Sequence, residues 1–378
     1  MSNRLRAASG PTGSVTQKHW LALRRYSTPR KLFNMALCEV EKRLRVARPR
    51  SMPYAATIDV TNACNLRCPG CPTGVGIQGR PKTLLSAEHL RRFLDEMSPY
   101  LLIANLYNWG ETLLHREAGS IVAAFHDADI FTSISSNMIV KFEAIESVCD
   151  AGLDHLIISA DGATRASYPI YRVGGDFDLL VENIKKTVEL RRRRGRKTPI
   201  IEWQVLAFRH LEHELEQARA LAAELGVDWF NVKSPTAPPA MRVQGLEEKT
   251  DKNRATDGNC GLLWHSVTLQ SDGGIGPCCY LYEKADDFGH IDSSTVREAR
   301  LAPRYVGARE LFDPSSVARL DPSQDHPCLR CPIVHHQPHL REFLAASPHA
   351  FVEENFMGIL TKRADHLRTW VGMEKTRS

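Results

Sequence analysis

The chain has 378 residues, 43% hydrophobic and 25% charged, an ordinary balance for a globular protein with one large domain and a smaller one. No apolar run approaches the roughly 20 residues that span a bilayer. Met1–Val15 also lacks the apolar stretch of a secretion signal, so a cytoplasmic protein with no transmembrane segment is expected.

The net charge of +5 is uneven, because residues 1–50 hold twelve Lys or Arg against only Glu39 and Glu41. A basic arm can meet nucleic acid or an anionic membrane. The plainer expectation, which leaves nucleic acid out, is a solvated arm and a helix packed on the body. Leu32, Phe33, Met35, Ala36, Val40, Leu44 and Val46 give Lys31–Val46 the apolar stripe for that packing.

Past Pro49 and Pro53, strand-like and helix-like segments alternate. Tyr54–Val60, Leu101–Tyr107, Phe131–Ser135, His155–Ala160, Ile200–Phe208 and Val227–Val232 are predicted strands. Ser86–Ser98, Glu117–Ala128, Lys141–Ala151, Asp178–Arg194 and His210–Leu225 are predicted helices, two of them stopped by Gly152 and Gly226. This alternation predicts an α/β fold with a parallel sheet and right-handed crossovers, open or partly closed as a barrel, with ligands at the C-terminal strand ends. The predicted organisation is an extension over 1–52, a core over 53–235, a linker over 236–258, a Cys-rich unit over 259–340 and a helical tail over 341–378.

Ten cysteines are many for a compartment where disulfides are rare. Cys38 and Cys149 lie in apolar helical patterns and read as core. The other eight form two groups. Cys64, Cys68 and Cys71 follow the first predicted strand as C-x₃-C-x₂-C, three thiolates able to converge on one metal centre while leaving it a ligand short. Structural zinc sites supply four ligands, which fits this triad poorly.

The triad resembles the signature of radical S-adenosylmethionine (SAM) enzymes. Membership implies a [4Fe–4S] cluster whose open iron binds SAM, giving a 5′-deoxyadenosyl radical that abstracts a substrate hydrogen. It also implies a partial (β/α)6 TIM-type barrel, and an external electron donor such as flavodoxin or ferredoxin. Asn108-Trp109-Gly110-Glu111 resembles the segment that holds the methionine amino group, and Ile134-Ser135-Ser136-Asn137 the one after the third strand. Ser159-Ala160-Asp161-Gly162 resembles the stretch meeting the ribose and methionine end. Arg172 is placed like the arginine that pairs with the cofactor carboxylate. Gly70 departs from the family, which often has an aromatic residue before the last cysteine.

The later group is similar to the C-terminal extension called SPASM, or twitch when short, a small α+β unit holding auxiliary [4Fe–4S] chemistry. Cys260, Cys278, Cys328 and Cys331 are its expected ligands, with Cys279 as the alternative to Cys278, so two clusters are expected in all. Zinc on the same four cysteines is the structural alternative, and a zinc-stapled binding protein the non-enzymatic one. His326, His335, His336 and His339 are read as ordinary core or surface residues.

A fully ligated second cluster suits electron acceptance, so the resemblance implies net oxidation of a substrate, in the manner of a dehydrogenase. The short, Arg-rich extension favours a small polar molecule over a ribosomally made peptide, the alternative substrate of a maturase. Glu202, on a strand whose alternate residues face the barrel interior, and Cys279 and Tyr280, beside the second group, are the candidates for proton or hydrogen transfer.

Overall fold

The computed structural model describes residues 6–7, 11–235, 243, 260–281, 283–323, 325–331, 334 and 337–348. All of the predicted linker but Val243, most of the predicted tail, His335 and His336 lie outside them.

Six strands form the heart of the molecule: β2 (Ala55–Ile58), β3 (Ile103–Asn105), β4 (Phe131–Ser136), β5 (His155–Ser159), β6 (Ile200–Leu206) and β7 (Trp229–Lys233). They lie in chain order, each parallel to the next. The helices between them are α3 (Ala87–Met97), α4 (Ala118–Asp127), α5 (Phe142–Asp150), α6 (Tyr168–Tyr171), α7 (Phe177–Arg193) and α8 (Leu215–Glu224). Each helix follows its sequence: Leu90, Phe93 and Met97 put an apolar stripe of α3 inward, and Ser86 caps it by accepting from His89 N. β5 is buried along almost its whole length, as a parallel strand covered on both faces must be.

The sheet curves. Lys18, from the N-terminal helix α1 (Pro11–Tyr26), gives its Nζ to Asn105 on β3, yet lies close enough to Glu202 on β6 to feel its charge. Strands three places apart meet at one side chain only if the sheet wraps around it.

Both edges of this open barrel are extended. At one edge Arg6–Ala7 (β1) pairs parallel with β7. At the other, Ser266–Leu269 (β8) pairs parallel with β2 and continues through Gly274–Gly276 (β9) and Gly289–His290 (β10). The Cys-rich unit therefore shares the barrel's sheet, which the pattern of its short segments does not announce. Arg80, its side chain fully buried, locks the junction by pairing with Asp272 at 2.6 Å and with Asp287.

The N-terminal segment departs most from expectation. It holds two helices, α1 and α2 (Pro29–Arg43), where the sequence predicts an arm and one helix. On α2 the stripe is turned round: the buried residues are Lys31, Asn34, Cys38 and Glu41, while Leu32, Phe33, Val40 and Leu44 are exposed. The reason is hydrogen bonding to a polar seat. Asn34 pairs through its amide with both Met52 N and Met52 O at 2.8 Å, Lys31 donates to Asp129 O at 2.6 Å, and Glu41 accepts from Arg50 N and Ser51 N. Unmade, those bonds would each leave a buried polar group unpaired at about 1–3 kcal/mol. Among the described residues no helix is long and apolar enough to cross a membrane.

Candidate active site

The loop after β2 carries the three cysteines. Cys71 N donates to Cys68 O at 3.1 Å, and Leu66 N points at Cys64 Sγ at 3.4 Å, the kind of N–H···S contact that steadies a thiolate. Burial pushes the Cys64 thiol up to about 11 and Cys68 up to about 12, with the neighbouring thiols adding to both. Such thiols stay protonated unless a cation takes the proton's place, and iron is the cation this donor set suits. Arg172 Nη1 and Asn137 Nδ2 lie 3.9 Å from Cys68 and Cys64 sulfurs.

The polar residues named from the sequence gather around this loop. Gly110 passes so close to it that an added Cβ would sit 1.8 Å from Thr61 O, so glycine is required. Trp109 N donates to Asp59, which also accepts from Ser271 of the Cys-rich unit. Glu111 is buried, accepting from Leu113 N at 3.1 Å and Asn137 N at 2.8 Å; burial pushes its carboxyl up against those bonds. Ser136 accepts from Met138 N, Asn137 holds Asn65, and Ser159 shares a hydroxyl contact with Ser135 at 2.8 Å.

Asp161 and Arg172 are partners. Asp161 is fully buried, accepts from Leu206 N at 2.6 Å, and pairs with Arg172 Nη2 at 2.7 Å. The carboxylate thus aims the guanidinium across the loop, and Arg172 stays charged despite its burial. Gly70 also gains a structural reason: an added Cβ would meet the Tyr171 hydroxyl at 2.9 Å. Tyr171, its ring 4.4 Å from that of Phe208, occupies the space an aromatic residue at position 70 would need.

The second cysteine set assembles from separate segments. Cys260 precedes α9 (Leu262–His265), Cys278 and Cys279 follow β9, and Cys328 lies within the 3₁₀ turn Pro327–Arg330 that Cys331 ends. Burial first, then the neighbouring thiols, pushes Cys260 up to about 12 and Cys278 and Cys328 well above the usual thiol range. Cys328 feels Cys331, Cys260 and Cys278, whereas Cys279 also reaches toward Tyr107 at the mouth of the barrel. His326 is used up locally: Nδ1 accepts from Cys328 N, and Nε2 lies 2.8 Å from Arg304 O. His339 lies 2.9 Å from Leu311 O. Tyr280 is half exposed beside the set.

The barrel interior holds a polar cluster the motifs do not mark. Glu202 lies 3.0 Å from His155 Nε2 and accepts from Asn231 at 2.9 Å, and Ser133 stands 3.2 Å from the other nitrogen of His155. Burial works against the Glu202 charge, yet the His155 and Asn231 bonds hold its carboxyl below the usual range. Burial pushes the Tyr107 phenol up, and Glu202 and Cys279, both near enough for their charges to act on it, add to the rise. Inward-pointing positions at period two were the one sequence signal for these residues.

Two family models match the chain: that of the Radical SAM superfamily over residues 58–233, and that of an iron–sulfur cluster-binding domain, SPASM, over 260–332. The chain belongs to the radical SAM superfamily. This radical SAM enzyme carries a C-terminal SPASM domain and uses [4Fe–4S] clusters and SAM. It is similar to the PqqA peptide cyclase of Rhodopseudomonas palustris, 29% identical over 139 residues, 36% of each chain. It is also similar to the GTP 3′,8-cyclase of Listeria monocytogenes, 28% identical over 138 residues, 35% of this chain and 41% of that one. The matches thus span little more than a third of those relatives' length. The fold is that of Streptococcus suis SuiB solved with SAM, at TM-score 0.57 and 14% identity, covering 90% of this enzyme and 80% of that chain.

Proposed function

We propose that this enzyme modifies a peptide by hydrogen abstraction and net two-electron oxidation. Cys64, Cys68 and Cys71 would hold the SAM-binding cluster, and Cys260, Cys278, Cys328 and Cys331 a second one. When bound, the first cluster supplies an electron that cleaves SAM to the 5′-deoxyadenosyl radical, which takes a substrate hydrogen.

The chain's own residues position that chemistry. Glu111 offers its remaining lone pairs to the methionine ammonium, and Arg172, held by Asp161, offers a fork to the carboxylate. Ser136, Asn137 and Ser159 line the cofactor's flank. Tyr171 and Phe208 supply the aromatic surface that Gly70 lacks. On the substrate side, the position of Tyr107 carries the oxidative reading, because it lies near enough to both the lumen carboxylate Glu202 and Cys279 of the second set to feel their charges. A substrate seated there is within reach of a proton acceptor and of the electron sink. Glu202, Cys279 and Tyr280 stay candidates for the proton or hydrogen step.

The peptide is favoured over the small polar molecule expected from the short N-terminal extension, because peptide cyclases are among the relatives and a SPASM domain is present. The nucleotide cyclases among the relatives keep a small-molecule oxidation as the second reading. Ten cysteines with no disulfide between them suit a reducing cytoplasm, with flavodoxin or ferredoxin as the electron donor. The test is anaerobic incubation of reconstituted enzyme with SAM, reductant and short peptides encoded beside its gene. Expected are 5′-deoxyadenosine and a peptide lighter by two hydrogens; unmodified peptides alongside an oxidised sugar or nucleoside would overturn the peptide reading.

A further inference from the structure

Helix α2 is amphipathic the wrong way round for a helix that only packs on a protein. Its inward face is mostly polar, with Lys31, Asn34 and Glu41 hydrogen-bonded and Cys38 the one fully buried apolar residue among them. Its outward face carries Phe33, Val40 and Leu44, 72%, 52% and 71% exposed, in line at helical spacing with Leu32 and Ala36 beside them. Exposed large apolar side chains in one line mark an interaction surface.

The exposed charge of this helix and the strap after it has one sign. Arg30, Arg43, Arg48 and Arg50 are exposed on the helix and the strap after it. The two acids of the segment are occupied: Glu41 is buried on backbone N–H groups, and Glu39 is taken by Lys42 and by the Tyr54 hydroxyl. A second copy would bring two cationic ridges together. A peptide needs a concavity, whereas the exposed side of a helix is convex. A flat anionic lipid surface answers both features, since apolar side chains enter below the headgroups while arginines reach up to the phosphates.

We infer that α2 docks this enzyme on an anionic phospholipid membrane as a peripheral, in-plane helix. The test is sedimentation of the full-length, cluster-loaded enzyme with vesicles of phosphatidylcholine alone or mixed equally with phosphatidylglycerol. Partition onto the mixed vesicles is expected to exceed that onto phosphatidylcholine by at least about tenfold and to fall with added salt. F33E/V40E/L44E should lose vesicle binding while 5′-deoxyadenosine formation continues. R30Q/R43Q/R48Q, which leaves the apolar ridge intact, should lose the preference for phosphatidylglycerol. The inference fails if wild-type enzyme ignores phosphatidylglycerol vesicles, or if the triple Glu variant, shown folded by its activity, binds them unchanged. It fails equally if light scattering shows a dimer that this variant dissociates, which would give the ridge to a second copy.

Discussion

The two cysteine sets use one donor chemistry in opposite surroundings. Cys64, Cys68 and Cys71 share an eight-residue loop, and charged or amide groups ring it: Glu111, Asn137, Asp161 and Arg172. Cys260, Cys278, Cys328 and Cys331 come from distant segments and pack against Leu263, Trp264, Phe288, Tyr305, Phe312 and Leu329. A polar ring around an incomplete ligand set fits a site that must bind a zwitterion. An apolar shell around a complete set fits one that only holds charge, because a low dielectric and few donors tune a cluster rather than recruit a ligand. The sets therefore differ in what their loss should do.

Replacing Cys64, Cys68 and Cys71 together with Ala gives the largest effect. Production of 5′-deoxyadenosine, followed by chromatography, should fall to the uncatalysed background, with Tm shifted only slightly because one loop is affected. Replacing Cys328 and Cys331 with Ser should instead lower Tm by several degrees in a thermal melt, since the cluster staples separate segments and its binding is coupled to folding. SAM cleavage should persist while the proposed oxidation of a peptide stops. If the melts ranked the other way, the contrast between a ligand-binding set and a stapling set would be wrong.

Arg172→Lys sharpens the polar half of the contrast. The ammonium cannot reproduce the planar fork that Asp161 aims, so SAM affinity measured by calorimetry should fall by about 10- to 100-fold, equivalent to about 1.5–3 kcal/mol. Asp161→Asn should weaken SAM binding in the same direction by leaving the guanidinium unaimed. A smaller effect tests the aromatic wall. Gly70→Phe alone should destabilise by about 1–3 kcal/mol through collision with Tyr171. Adding Tyr171→Ala should recover part of that loss in a denaturation cycle, showing that the two positions share one space.

The sequence located the chemistry better than the packing. Strand and helix limits from periodicity lie within a few residues of those observed, because buried parallel strands and amphipathic helices follow the two simple repeats. The cysteine spacing and the polar turns after strands led to residues that do converge. Three things were hidden. The partnership of Asp161 with Arg172 joins residues on different loops, and no local pattern encodes it. The sharing of one sheet by β8 and β2 depends on a pairing more than two hundred positions apart. The inverted α2 looked like a core-facing helix because its apolar repeat is real, while its inward face is chosen by Asn34 and Glu41 meeting backbone groups near Met52.

Lys18 provides an effect confined to the pH dependence and a check on the barrel floor. Burial pulls its amine from 10.5 down to about 7, against the attraction of Glu202. Below pH 7 folded and unfolded chains both hold the proton; between about 7 and 10.5 the unfolded chain holds it while the folded chain has released it. Where the unfolded state binds more protons, stability rises with pH. Chemical denaturation at pH 7, 8 and 9 should therefore show a Lys18 contribution increasing by up to about 1.4 kcal/mol per unit. Lys18→Met keeps the bulk, removes the titration, and should flatten that slope. An unchanged slope in the variant would place Lys18 in water, and α1 would then not close the barrel beneath Asn105 and Glu202.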